Sequence, residues 1–211
     1  MMQSNDYHDY VFKDGKFVGA FEEMYQNVDD PWHHGEAKAI PYDMVLHLLG
    51  RYQVCSAGGK ILDIGCGKGA FTARLARHCP DAAIKAIDIS PTAINKAQEQ
   101  YGSSKIEFQV MDIQKELKNI TDDFDLIVVS DVMWYILPKF KEIMGHLSGH
   151  ILRERGYLII NQTLYKPGQQ KYGKEIVSTI EDMLACISIT PIDIFEINRM
   201  ANYHAVAIFQ K

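Results

Sequence analysis

At 211 residues the chain is long enough for one well-buried core, and 47% hydrophobic against 23% charged residues is the balance of an ordinary globular domain. The net charge of −5, with Lys and Arg scattered along the chain, gives no basic footprint, so nucleic acid is not expected as a partner. No apolar run reaches the roughly 20 residues that cross a bilayer, and "MMQSNDYHDYVFKDGKF" carries early acids where a signal peptide would be apolar, so no membrane association and a cytoplasmic location are expected.

Residues 1–19 are polar and aromatic and read as an arm or cap, followed by helices over "AFEEMYQNV" and "EAKAIPYDMVLHLLGRY". From Lys60 the rhythm becomes strand, loop, helix. "KILDIG" is a short buried strand and "AFTARLARHC" a helix that stops before Pro80. "AIKAIDIS" is a second strand, and Pro91 opens the helix "TAINKAQEQYG" with Ser90 as its N-cap. "IEFQVMDI" and "FDLIVVSDVMWYI" are strands three and four, "KFKEIMGHLSGHIL" a helix, and "GYLIINQT" strand five. This alternation predicts parallel βαβ units with helices on both faces. After a helix over "GKEIVSTIEDMLACIS", the runs "IDIFEINRM" and "YHAVAIFQK" lie too close together for a crossover helix, so they pair antiparallel. The chain divides into an arm and cap helix over 1–39 and one α/β domain over 40–211.

Cys55, Cys66, Cys79 and Cys186 have no metal-ligand spacing, and neither do His146, His150 and His204, so no metal is expected. The four cysteines are expected as free thiols.

The most informative segment is "KILDIGCGKGAF". In an open α/β sheet, ligands bind beyond the carboxyl ends of the strands, and Gly65, Gly67 and Gly69 let one approach the backbone closely. Gly65, Gly67 and Ala70 also fit a dinucleotide fingerprint, which keeps an NAD(P)-binding oxidoreductase open. Asp63 weighs against it, because a carboxylate there would face a pyrophosphate. An ammonium-bearing ligand without phosphates, such as S-adenosylmethionine, would gain on the order of 1–3 kcal/mol from the same carboxylate. Asp88 and Asp112 end the next two strands, suited to ribose hydroxyls and to an adenine amino group.

The order of these motifs resembles the class I S-adenosylmethionine-dependent methyltransferases over about residues 40–211. That resemblance implies a Rossmann-like, seven-stranded sheet of order 3-2-1-4-5-7-6 in which only strand 7 runs antiparallel. It also implies glycine-loop contacts to the methionine part of the cofactor, Asp88 on the ribose and Asp112 on the adenine. The cofactor-binding set is thus Trp32, Asp63, Gly65, Cys66, Gly67, Gly69, Asp88, Ile89, Asp112, Ile113 and Ser130, with S-adenosylhomocysteine as the product. "FEEMYQNVDDPWHHG" and "IVVSDVMWYI" are further similar to the nodulation-type chitooligosaccharide N-methyltransferases, in which the DPW segment caps the cofactor.

Methyl transfer is an in-line displacement, to which a protein contributes positioning and electrostatic match. Asp131, at the end of strand four, can orient an amine or hydroxyl or take its proton. Trp134 and Tyr135 can stack on a sugar ring or surround the methyl donor, or simply pack in the core. His33 and His34 follow Trp32; adjacent histidines point different ways, so at most one faces the site, and His34 is the candidate base near neutral pH. Tyr165, Lys166 and Tyr172 are candidates for shaping the acceptor pocket. The expected acceptor is a small molecule or saccharide and the expected state a monomer or homodimer. A methyltransferase acting on protein or RNA stays open, although "SDVM" stands where the base- and glutamine-methylating branches carry an NPPY-type motif. A binding protein that has lost catalysis also stays open.

Overall fold

The computed structural model describes residues 7–13, 16–32, 36–55, 58–200 and 202–211. The N-terminal arm contains a short helix α1 (His8–Val11), the two-residue strands β1 (Phe12–Lys13) and β2 (Lys16–Phe17), paired antiparallel, and helix α2 (Phe21–Asn27). Helix α3 (Glu36–Arg51) leads into the sheet. There follow β3 (Gly59–Ile64), α4 (Ala70–His78), β4 (Ala82–Asp88), α5 (Pro91–Tyr101), β5 (Ile106–Val110), α6 (Ile113–Glu116) and β6 (Phe124–Ser130). The chain continues through α7 (Met133–Ile136), α8 (Phe140–His146), β7 (Leu152–Tyr165), α9 (Ile180–Leu184), β8 (Pro191–Asn198) and β9 (Asn202–Gln210).

The seven main strands are ordered β5-β4-β3-β6-β7-β9-β8. Pairing is parallel from β5 through β7, and β9 runs antiparallel to both β7 and β8. This is the order and the single reversal that the family resemblance implies. Alternation along the buried strands divides the core in two. Leu62, Ile127, Val129 and Leu158 pack with Phe140, Ile143 and Met144 of α8 on one face. Ile61, Leu126, Val128 and Ile159 pack with Val45, Leu48 and Leu49 of α3 and with Phe71 and Leu75 of α4 on the other. Ser90 caps α5, its hydroxyl oxygen accepting from Ala93 N, with Pro91 at the first helical position.

Several boundaries move. "FDLIVVSDVMWYI" is a strand only to Ser130, after which Asp131 turns the chain into α7. The helix expected over 173–188 contracts to α9, whose start is fixed by a capping box between Thr179 and Asp182. The arm expected over 1–19 holds the α1–β1–β2 unit among its described residues, where Phe12 and Phe17 meet edge to face at 5.8 Å between ring centroids. No helix among the described residues is long and apolar enough to cross a membrane.

The expectation of four free thiols is corrected. Cys55, in the turn after α3, is disulfide-bonded to Cys79, the C-cap of α4, while Cys66 and Cys186 are free. The two halves are 24 residues apart in sequence, and only the packing of α3 beside α4 brings them together. Thiol titration of unfolded, unreduced protein should therefore count two reactive groups. Cys79→Ser should lower stability by about 3 kcal/mol, the loop-entropy value for a ring of this size. Four reactive thiols would refute the bond.

Candidate functional site

The site forms where β3, β4, β5 and β6 end. After Ile64 the chain turns through Gly65 (φ 77°), Gly67 (φ 52°) and Gly69 (φ 78°), all in the left-handed region that glycine adopts at little cost. Neighbours also exclude side chains here: a Cβ on Gly65 would collide with Val132 Cγ2, and one on Gly67 would lie 2.8 Å from the Tyr25 hydroxyl. The loop is tied to β4, because Gly65 N and Cys66 N both donate to Ile87 O, at 2.8 and 3.0 Å, and Gly67 N donates to Asp88 Oδ2 at 2.9 Å.

Asp63 is 2% exposed and accepts from Thr72 Oγ1 at 2.6 Å. Burial pushes its carboxyl up to about 6 against the opposing hydrogen bond from Thr72. Burial also raises Asp88, against the hydrogen bonds it accepts from Ser90 N and Gly67 N. Asp112 caps α6 through Gln114 N at 3.0 Å and holds Lys115 at 2.8 Å. Asp131 follows β6 with φ 53°, a conformation that aspartate tolerates better than most residues. Its N–H donates to Asn161 O at 2.7 Å, and its Oδ1 accepts from both Thr163 N and Thr163 Oγ1 at 2.9 Å. Its Oδ2 lies 3.4 Å from Nε2 of His204, which is 3% exposed and stands opposite Thr163 in the β7–β9 register.

The N-terminal arm covers this edge with aromatic rings. Trp32 Nε1 donates to the Tyr25 hydroxyl at 2.6 Å, and the Tyr135 ring lies 5.6 Å from Trp32 and 5.0 Å from Phe21 between centroids. Burial raises the Tyr135 phenol well above its ordinary value, and Tyr7 and Asp131 add to the shift. Glu22 fastens α2 to the start of α5, accepting from Ser90 Oγ at 2.5 Å, Thr92 Oγ1 at 2.6 Å and Thr92 N at 3.1 Å. Burial opposes its ionisation, but these bonds together with one from Gln26 outweigh burial and hold it at about 2 instead of 4.5. Lys96 Nζ adds a bond to Tyr25 O at 3.0 Å.

One cavity of about 680 Å³ runs through these groups, within the roughly 300–1,000 Å³ of small-molecule sites. Of the residues expected from sequence, Trp32, Asp63, Gly65, Cys66, Gly67, Asp88, Ile89, Asp112, Ile113, Ser130, Asp131 and Tyr135 line it. Gly69 does not. It is the N-cap of α4, with the Phe108 ring 2.9 Å from where a Cβ would stand. His33 and His34 lie outside the described residues. Tyr165 and Tyr172 line the cavity, whereas Lys166 does not. Trp134 also reaches it, with its indole N–H on Thr163 O at 2.8 Å and its ring packed in the core.

Sequence reasoning missed Glu22, Tyr25, Thr72, Thr163 and His204. For His204 the signal was available: once the last two runs pair antiparallel, a histidine inside the apolar "YHAVAIF" is buried beside strand five.

A family model described as "Methyltransferase domain" matches residues 56–194. Nodulation protein S of Bradyrhizobium diazoefficiens is 33% identical over 110 residues, covering 52% of this chain and 50% of that protein. A malonyl-[acyl-carrier protein] O-methyltransferase of Paenibacillus sp. is 36% identical over 104 residues, covering 47% of this chain and 37% of the relative. The chain thus spans half or less of the length of these relatives. Among solved structures, the N-methyltransferase NodS from Bradyrhizobium japonicum WM9, in complex with S-adenosyl-L-homocysteine, superposes with a TM-score of 0.71 at 23% identity. The superposition covers 90% of this chain and 96% of that one.

The Glu22 latch has a definite pH sign. Its folded-state value lies below the ordinary one, so its contribution is present above about pH 4.5 and is lost as pH falls toward about 2. At neutral pH, Glu22→Gln removes the charge from these hydrogen bonds, and amide exchange in α2 should quicken by about ten-fold. Unchanged exchange would mean that Glu22 does not hold the cap.

Proposed function

The chain belongs to the class I S-adenosylmethionine-dependent methyltransferases, and from that premise we propose that it transfers a methyl group from S-adenosylmethionine to a nitrogen or oxygen of a small molecule or saccharide. The observation that carries this reading is the set Asp63, Asp88 and Asp112 at three successive strand ends, around a glycine loop and in one cavity. Such a set suits a cationic nucleoside and repels a pyrophosphate, which disfavours a dinucleotide. The residues fit the cofactor: Gly65 and Gly67 leave room where side chains would stand, and Asp63 is a buried carboxylate without a cation beside it among the described residues. When bound, S-adenosylmethionine supplies an electrophilic methyl group on a sulfonium.

The chain's own residues then have distinct tasks. Asp63 pairs with the ammonium group. Asp88, held by the backbone of the glycine loop, takes the ribose hydroxyls, and Asp112 takes the adenine amino group from its place at the cap of α6. Ile89 and Ile113 border the base, while Ser130 and Cys66 border the amino-acid part. Trp32 and Tyr135 close the edge and exclude water. Exclusion of water strengthens each of these contacts. Asp131 faces the acceptor and orients its N–H or O–H. The acceptor class is supported by two relatives whose names give methylation on N and on O respectively.

S-adenosylhomocysteine should raise the melting temperature and NADH should leave it unchanged; stabilisation by NADH alone would overturn the reading. The affinity for S-adenosylhomocysteine should also report Asp63. The free carboxyl binds a proton as pH falls through about 6, and the bound ammonium favours its ionised form. Affinity should therefore be full above about pH 7 and weaken below about pH 6, a dependence that Asp63→Asn abolishes. Calorimetry that gave a flat profile from about pH 5 to about pH 8 would remove Asp63 from the ammonium.

Asp131→Asn keeps the shape and removes the charge, so S-adenosylhomocysteine binding should change little while turnover falls roughly 10²- to 10⁴-fold. Equal losses of affinity and turnover would place Asp131 with the cofactor instead.

A further inference from the structure

We propose that His204 is the residue that receives the acceptor's proton, with Asp131 and Thr163 as the groups that position it. This rests on the methyltransferase reading above and assigns a role that reading leaves open. The argument is one of proton count. Thr163 has a single hydroxyl proton, and its Oγ1 donates it to Asp131 Oδ1 at 2.9 Å. Toward His204, whose Nε2 and Nδ1 lie 3.1 and 3.3 Å away, that oxygen is then only an acceptor. On the other side, Asp131 Oδ2 lies 3.4 Å from Nε2, and an ionised carboxylate is again only an acceptor. Both acceptors lie nearest Nε2, at 3.1 and 3.4 Å, and a neutral imidazole has one donor and one bare nitrogen. The cluster has room for one more proton, and that place is on His204.

The position suits the source of the proton. Asp131, Thr163 and His204 all line the cavity, beside Tyr135 and Tyr165. An acceptor N–H or O–H held at Asp131 can hand its proton to the imidazole, directly or across the carboxylate. The acceptor's lone pair forms the new bond to the methyl carbon, the carbon–sulfur bond breaks with its electrons going to sulfur, and the proton ends on His204. Other titratable and charged groups around His204 are Tyr42 on α3, Tyr165 on β7, Tyr135 on α7, and Lys171 and Arg199, which line the same cavity. The tyrosines are neutral, since burial raises the phenols of Tyr42, Tyr135 and Tyr165. Asp131 Oδ2, at 3.4 Å from Nε2, is the carboxylate in contact with the ring.

Two measurements on the whole chain test this, both with saturating S-adenosylhomocysteine or S-adenosylmethionine. The first is a proton titration of ring-labelled histidine by NMR, with the His204 signal assigned by its loss in His204→Gln. Asp131→Asn should move the His204 titration, because the carboxylate in contact with the ring is lost; an unmoved titration overturns the proposal. The second uses a β-1,4-linked glucosamine trimer as the acceptor probe. His204→Gln should keep its affinity for S-adenosylhomocysteine, lose roughly 10²- to 10³-fold in turnover and lose the acidic limb of its pH profile. A variant with the wild-type rate and limb overturns the proposal. If His204→Gln does not fold, Thr163→Val decides, since it keeps the imidazole and removes one of its acceptors. The titration and the acidic limb should then both move, and no movement in either overturns the role. Failure of the wild type to methylate the trimer counts against a saccharide acceptor, while the titration still tests the proton site. Failure to bind S-adenosylhomocysteine counts against the methyltransferase reading itself.

Discussion

The attachment of the glycine loop to the end of β4 is the constraint on which the site depends. Gly65, Cys66 and Gly67 each donate a backbone N–H to Ile87 or Asp88. These bonds form only because three glycines in five residues accept positive φ. The loop therefore does more than make space. It fixes the distance between the last residue pairs of β3 and β4, and with it the separation of Asp63 from Asp88. Parallel pairing of Asp63 with Ala86 and of Ile64 with Ile87 carries the same alignment into the sheet. A ligand that bridges both carboxylates meets two anchors whose spacing is set before it arrives, which spares the cost of ordering them on binding.

The electrostatics of the site follow from that arrangement. Asp63 and Asp88 are both raised by burial, and each lies close enough to affect the other's neighbours: Asp88 raises Asp63, and both raise the Cys66 thiol. Buried like charges are unfavourable until something cationic or hydrogen-bonding enters. The free protein thus holds a small excess of destabilisation at this end of the cavity, which a cationic ligand with hydroxyl donors relieves. The acceptor end differs. There Asp131 is already engaged by Thr163, and the buried His204 imidazole, the proposed base, lies 3.4 Å from its other oxygen.

The sequence made the strands, the strand-end acids and the cap of α5 legible, because each depends on local pattern: apolar runs of strand length, an acid where the run stops, and Ser-Pro before a helix; the sheet order came from the family resemblance. What it hid depends on contacts across the chain. Cys55 and Cys79 look like isolated thiols until α3 packs beside α4. His204 looks like an unpaired histidine until the β7–β9 register sets it against Thr163. Glu22 reads as one acid in an amphipathic helix, yet its partners Ser90 and Thr92 belong to another βα unit. Gly69 has a reason of another kind to be glycine: the Phe108 ring and the start of α4 leave no room for a side chain there.

The cap and the sheet also differ in how firmly they are held. Each central strand is paired along both sides and buried on both faces, so opening there would cost a large part of the global stability. The cap is attached differently. Its hold rests on the burial of Met24, Tyr25 and Val28 against Ala93 of α5, on ring contacts among Phe17, Phe21, Trp32 and Tyr135, and on a few side-chain bonds, chiefly those of Glu22 and Lys96 to and from α5. Such contacts can part without disturbing the sheet. Since Glu22 grips the helix that begins just after Asp88, the carboxylate proposed to hold the ribose and the latch that closes the cap share one short segment, Asp88 to Thr92. Anything that shifts Asp88 is felt at Ser90, whose N–H it accepts, and so at Glu22, which accepts from the Ser90 hydroxyl. That segment is therefore the physical link between the carboxylate and the cap.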